Sequence, residues 1–277
     1  MLFRGRDPGR RHSPPGSGGV VGGEIGHGGC TPSTTAPDGL IIGFTSMKLL
    51  LFIPCCDKKE CRKADQVGPP TWITQARLPG TWSSLVAGRQ RRGVQDNSTG
   101  GFRASAAYCG LLYSKTQRLG NCRRAHITVI SAGYGVVGAD DPIYDYNWEM
   151  KTTVAREWQN LGLQQVIVEL ITTERPTDIV GFFAGKSDWN PGDTSAKYRW
   201  FYEEGVRLAL RDSHDNLRRA VTVFNRQGQS QSLSGLGRVL DLFLGPGSGL
   251  SSNALNQSLH LAKIPKNVKL DYTDLTI

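Results

Sequence analysis

The chain contains no Gly-rich phosphate loop of the GxxxxGK type, no HExxH and no GxSxG. Their absence argues against nucleotide hydrolysis, zinc proteolysis and serine hydrolysis by those devices. It also has no apolar stretch approaching the roughly 18–20 residues of a membrane span. Within KLLLFIP after Met47, which ends just before Cys55, the apolar run before the Pro is shorter than the roughly 7–15 residues of a signal core, so it is not read as a lipoprotein leader. Cysteine is sparse, six in 277 residues, too few for a disulfide framework, and the reducing cytoplasm is the expected compartment. Cys55, Cys56 and Cys61 crowd one loop but have neither a matching pair nor a nearby His, short of a usual zinc pattern. Neither a metal nor an organic cofactor is expected.

What the chain does have is positive charge and a core. Lys plus Arg outnumber Asp plus Glu by 33 to 24, and 38% of residues are hydrophobic. That balance suits a globular protein that meets phosphate or another anionic surface. Residues 1–46 stand apart, rich in Gly, Pro and Arg with no periodic apolar face. They read as a disordered or non-native extension ahead of a start at Met47. Residues 47–246 read as one α/β domain, and residues 247–277, with more Ser, Asn and Lys, as a surface strap.

Inside that domain, β-branched apolar runs alternate with helical periodicity, the signature of a parallel sheet with crossover helices. Strands are predicted at Leu49–Ile53, Ile127–Ser131, Asp178–Ala184 and Ala220–Phe224. Helices are predicted at Trp82–Arg92, Phe102–Thr116 (Ser98 or Thr99 as cap), Lys151–Leu161, from Leu163 toward Pro176, Ala196–Arg211 and Leu233–Leu244. The expected architecture is a three-layer α/β sandwich around a four-stranded, mostly parallel sheet.

Ligands of open parallel sheets bind beyond the carboxyl ends of the strands, so the four strand exits form one candidate surface. The first offers Cys55, Cys56, Asp57, Lys58 and Lys59. The second is Ser131–Glu149, where Gly133 and Gly135 would let a ligand approach the backbone. The third brings Lys186, Asp188, Trp189 and Asn190, and the fourth Asn225 and Arg226. Carboxylates, rings, amides and cations together suit a flipped base and its flanking phosphates. The candidate catalytic carboxylates are Asp57 and Asp141; the base pocket is Ser131, Tyr134, Tyr146 and Glu149; and Lys58, Lys59, Lys186, Asn225 and Arg226 are expected on nucleic acid. Plainer readings exist for several of these: Lys58 and Lys59 in a solvated turn, and Asp140-Asp141-Pro142 as an ordinary turn sequence.

Ser131, Tyr134, Gly135, Asp141, Ile143, Tyr146, Glu149 and Met150 together resemble the signature of the YaaA family, bacterial peroxide-stress proteins that bind DNA. The match covers about twenty residues, with a looser echo at Cys55–Lys59. A wider resemblance runs to the uracil-DNA glycosylase type of fold, although its GQDPYH-like and HPSP-like motifs are absent. That resemblance implies Asp57 as the water-positioning residue, Ser131–Tyr146 as the base pocket and Asn225–Ser230 as a backbone-gripping loop. The resulting expectation is a DNA glycosylase for a modified or damaged base, including hypermodified bases of phage DNA in phage defence. Alternatives are a non-catalytic DNA-binding protein of the YaaA kind and a base-exchange enzyme on transfer RNA or DNA. DNA is the expected partner, with neither a membrane nor an obligate protein partner.

Overall fold

Every residue from Leu49 to Pro54 is buried, as a strand covered on both faces must be. The computed structural model describes residues 49–122, 124–184, 196–212, 217–225, 231–246, 252–264 and 270–275, which all belong to one compact unit. The expectations for residues 1–46 and for Lys186 and Arg226 lie outside the described residues. In chain order the elements are β1 (Leu49–Pro54), β2 (Gln66–Val67), α1 (Trp82–Arg91), β3 (Gly101–Arg103), α2 (Ala104–Ala107), β4 (Ala125–Ser131), β5 (Gly135–Gly138) and β6 (Pro142–Ile143). There follow α3 (Thr152–Asn160), α4 (Leu163–Glu174), β7 (Asp178–Phe183), α5 (Tyr198–Arg211), β8 (Arg219–Asn225), α6 (Gln231–Phe243), α7 (Ser252–Leu261) and β9 (Leu270–Asp274).

The main sheet has the order β5-β4-β1-β7-β8-β9. Its centre, β4-β1-β7-β8, is parallel throughout and consists of the four strands that the apolar runs predict. The sheet as a whole has six strands, not four. At one edge β5 folds back antiparallel on β4, and at the other β9 runs antiparallel to β8. Both additions evade apolar patterning. β5 is a four-residue GVVG segment behind a tight turn, and β9 is a polar stretch in a tail that reads as a surface strap. That tail therefore carries a helix and an edge strand of the sheet. A separate three-stranded antiparallel sheet, β2-β3-β6, is built from strands of two or three residues.

Helices cover both faces of the main sheet, as alternation along β7 demonstrates. Phe183 meets Tyr202 of α5 at 5.1 Å, whereas its neighbour Phe182 meets Phe243 of α6 at 6.1 Å. Successive strand side chains point to opposite faces, so α5 and α6 lie on opposite sides. Packing is close where glycine permits it. A Cβ at Gly205 of α5 would sit 2.7 Å from Ile167 of α4, and one at Gly181 would sit 2.6 Å from the Tyr202 ring.

The largest departure from the sequence pattern is the long helix expected over Phe102–Thr116. Only Ala104–Ala107 is α-helical, followed by extended backbone at Tyr108 (ψ 123°) and a 3-10 turn at Tyr113–Lys115. Partners far away in the sequence capture the backbone here: Arg103 N–H donates to Asp65 O, Ala104 N–H to Asp141 O, and Ser105 N–H to Ala139 O. Tyr108 then pairs antiparallel with Lys59, which fixes one wall of the candidate site.

Candidate functional site at the strand ends

The β1 strand hands its chain to the site through one more sheet-like bond, Cys55 N–H to Ile130 O at 2.8 Å. The chain then turns. Asp57 Oδ1 accepts the Lys58 N–H at 2.8 Å, and Cys109 N–H donates to Lys58 O at 3.2 Å. These bonds open a cavity of about 590 Å³, within the roughly 300–1,000 Å³ usual for small-molecule sites. Asp57, Lys58, Glu149 and Tyr198 line it together with Cys55 and Cys56, and Leu233 of α6 closes the far side. The position is the one expected of an open parallel sheet, at the carboxyl end of a central strand. Asp57 and Lys58 are exposed. The second oxygen of Asp57, Oδ2, has no protein partner among the described residues.

Behind this cavity lies a buried cluster of hydroxyl groups. Tyr146 OH sits 2.8 Å from both Tyr108 OH and Ser131 Oγ, and Tyr198 OH sits 3.1 Å from Cys55 Sγ. Burial pushes the Tyr108, Tyr146 and Tyr198 phenols well above their usual range, so they are neutral hydrogen-bonding groups at physiological pH. The Lys59 ammonium caps the cluster, 3.9 Å from the centroid of the Tyr146 ring, while donating to Asp57 O at 3.1 Å. Burial likewise lifts the Cys56 thiol from 9.0 to about 12, which removes it as a nucleophile. Its sulfur donates to Lys58 O at 2.8 Å and accepts from Gly110 N–H at 3.3 Å, bonds that hold the turn. Among the described residues, no three His, Cys, Asp or Glu side chains gather as a metal site.

The structure therefore divides the sequence candidates. Asp57, Lys58 and Glu149 face one cavity. Ser131 and Tyr146 stand behind its wall, with Lys59 over the Tyr146 ring. Tyr134 is elsewhere: its OH donates to Gln95 O at 2.9 Å and accepts from Tyr144 N–H at 3.0 Å, which ties two loops together. Asp141 is a structural clamp. Its Oδ1 accepts from Thr71 N–H and Trp72 N–H at 2.8 and 2.9 Å, and its Oδ2 from Ile73 N–H and Gly138 N–H at 2.8 and 2.9 Å. A carboxylate holding four amides in a buried position has no lone pair left for proton transfer. Asn225 ends β8, and its side chain lies outside the described residues.

Gly133 and Gly135 are required by close packing of the protein on itself. A Cβ at Gly133 would lie 2.8 Å from the Tyr146 ring, and one at Gly135 (φ +76°) would lie 2.7 Å from Leu85 and 2.8 Å from Trp158. Sequence reasoning missed Tyr108 and the cavity-lining Tyr113 and Tyr198 as parts of the site, because all three fall inside the helices predicted at Phe102–Thr116 and Ala196–Arg211. The only available signal for Tyr198 was its place at the start of a helix just after a strand-exit loop. Comparison of the chain with protein-family models, with curated proteins and with solved structures returns no match.

Proposed function

We propose that this chain is a DNA glycosylase that hydrolyses the N-glycosidic bond of a modified or damaged base and leaves an abasic site. The observation that carries the reading is the convergence of two carboxylates, Asp57 and Glu149, with Lys58 in one cavity at the end of β1. An extruded base would enter this cavity, with Lys58 on a flanking phosphate and Glu149 hydrogen-bonding to the base edge. The unpartnered oxygen of Asp57 would hold a water against C1′ and balance the positive charge that develops on the sugar. The water oxygen bonds to C1′ as the bond from C1′ to the base breaks, and the base leaves with a proton. The excess of basic residues supports the same reading, as does the positional resemblance of the strand exits to those of uracil-DNA glycosylases.

A second reading, a non-catalytic DNA-binding protein of the YaaA kind, draws on one specific observation. Four of the residues that carry that resemblance, Ser131, Tyr134, Asp141 and Tyr146, are buried and bonded within the protein, so in this chain they hold the fold rather than offer reactive groups. One experiment separates the two readings. DNA carrying a broad panel of modified bases, including phage DNA, is incubated with the protein, released bases are identified by mass spectrometry, and abasic sites are cleaved with alkali. Glycosylase activity gives a free base and cut strands, and Asp57→Ala lowers the rate by roughly 100-fold or more. Intact strands across the panel, together with salt-sensitive binding, would establish the second reading instead.

A further inference from the structure

A second cavity, of about 480 Å³, lies between residues 69–75 and α1 and shares no lining residue with the first. Its wall is mostly apolar, formed by Pro69, Pro70, Ile73, Trp82, Val86 and Val94, and Arg89 also lines it. We propose that this cavity binds a small aromatic carboxylate, with its ring against Trp82 and its carboxylate on the Arg89 guanidinium.

The charge state of Arg89 is the first argument. Its Nε–H donates to Tyr134 O at 3.2 Å, Nη2 to Val136 O at 3.2 Å, and Nη1 to Asn97 Oδ1 at a long 3.4 Å. All three acceptors are neutral, and among the described residues no carboxylate comes within ion-pair distance. Two other arginines drawn into the protein are compensated: Arg92 reaches Glu157 at 3.1 Å and Arg199 reaches Glu203 at 2.7 Å. Burial pushes Arg89 down from 12.5 to about 10, so it remains a cation at physiological pH without a contacting counter-ion. The carboxylates that act on it from further away are engaged elsewhere. Asp96, on the cavity rim, accepts from Ser98 N–H at 2.9 Å and from Ser98 Oγ at 2.7 Å, and Asp141 holds its four amides.

The hydrogen-bond inventory is the second argument. A guanidinium has five N–H donors; three are engaged among the described residues, which leaves one on each Nη for a carboxylate. Shape and polarity supply the third. The guanidinium carbon lies 5.4 Å from the centroid of the Trp82 ring, and both side chains line the cavity, so the charge borders the same space as a flat aromatic side chain. One cation in an apolar wall that also includes Asp96 matches a single negative charge better than a doubly charged phosphate. The wall is also preformed, because Asp141 fastens Thr71–Ile73 and Asn97 Nδ2 donates to Pro142 O at 2.6 Å.

The test compares benzoate and indole-3-carboxylate with benzamide and indole-3-carboxamide, on the full chain, by calorimetry and ligand-observed NMR. Each acid should bind roughly tenfold or more tighter than its amide, the ratio expected for a charge-assisted bond. Bound acid should change a tryptophan emission component that is missing in Trp82→Phe. Val86→Trp, which fills the cavity from α1, should abolish binding while leaving the melting transition cooperative. Equal binding of acid and amide, no binding of any probe, or unchanged affinity in Val86→Trp would each overturn the proposal. None of these outcomes bears on the glycosylase reading, which concerns the other cavity.

Discussion

Asp57 and Asp141 are the same residue type with opposite duties, and substitution should separate them. Asp141→Asn exchanges two acceptor-only oxygens for an amide whose NH₂ faces backbone N–H donors, and should destabilise the protein by about 2–4 kcal/mol. Chemical denaturation will read the loss directly. Asp57→Ala, at an exposed turn, should leave stability within about 0.5 kcal/mol of the parent while lowering the proposed base release by roughly 100-fold or more. Tyr146→Phe takes away the hydroxyl between Tyr108 and Ser131, and should cost about 1–2 kcal/mol in the same measurement. The half-buried Cys56 thiol sets a pH dependence. Its folded pKa, raised to about 12, means that the native state keeps a proton that the unfolded chain releases near its ordinary value. Its contribution is complete below that value and falls as pH rises, by at most about 1.4 kcal/mol per pH unit. Tyr108, Tyr146 and Tyr198 are shifted in the same sense. Urea midpoints measured from about pH 8 to about pH 11 should therefore decline, and less steeply in Cys56→Ala.

At the scale of elements, α4 and α5 meet closely where Gly205 lies on Ile167. Gly205→Ala must move a β-branched side chain between two packed helices. It should lower stability by about 1–3 kcal/mol, seen as a drop in melting temperature, even though alanine is the better helix former. The β9 strand makes a different prediction. A chain ending at residue 264 would uncover the backbone edge of β8, and should aggregate in light scattering under conditions where the full chain stays monodisperse. The same elements explain what was legible in the sequence. β1, β4, β7 and β8 are buried on both faces, so each must be a continuous apolar run, and all four could be read. α1, α3, α4, α5 and α6 show their periodicity for the complementary reason, one face wet and one dry. β5, β9 and the segment after Phe102 obey neither rule, because remote backbone partners define them. The site inherits that division: Asp57, Lys58 and Glu149 follow from strand exits, whereas Tyr108 and Tyr198 depend on how distant segments dock. Arg89 carries no local signal at all, since its isolation is a property of the assembled interior.

For the molecule as a whole, the basic excess bears on encounter with any polyanion. If the proposed DNA contact holds, affinity will fall with salt, and Lys58→Ala should reduce the slope of log affinity against log salt by about one. Lys59→Ala should change that slope less, because its ammonium is already engaged over Tyr146. No helix among the described residues is long and apolar enough to cross a membrane.

The Asp141 clamp also bears on how the chain reaches this state. Its bonds to Thr71, Trp72 and Ile73 span 70, 69 and 68 residues, and closing a loop of that length carries an entropic penalty of about 4 kcal/mol. Much of that penalty is already met once β1 and β4 have paired and brought the ends together. The stretch around residue 71 is therefore a late arrival in refolding, and protease pulses during that reaction should cut there after the parallel strands are already protected.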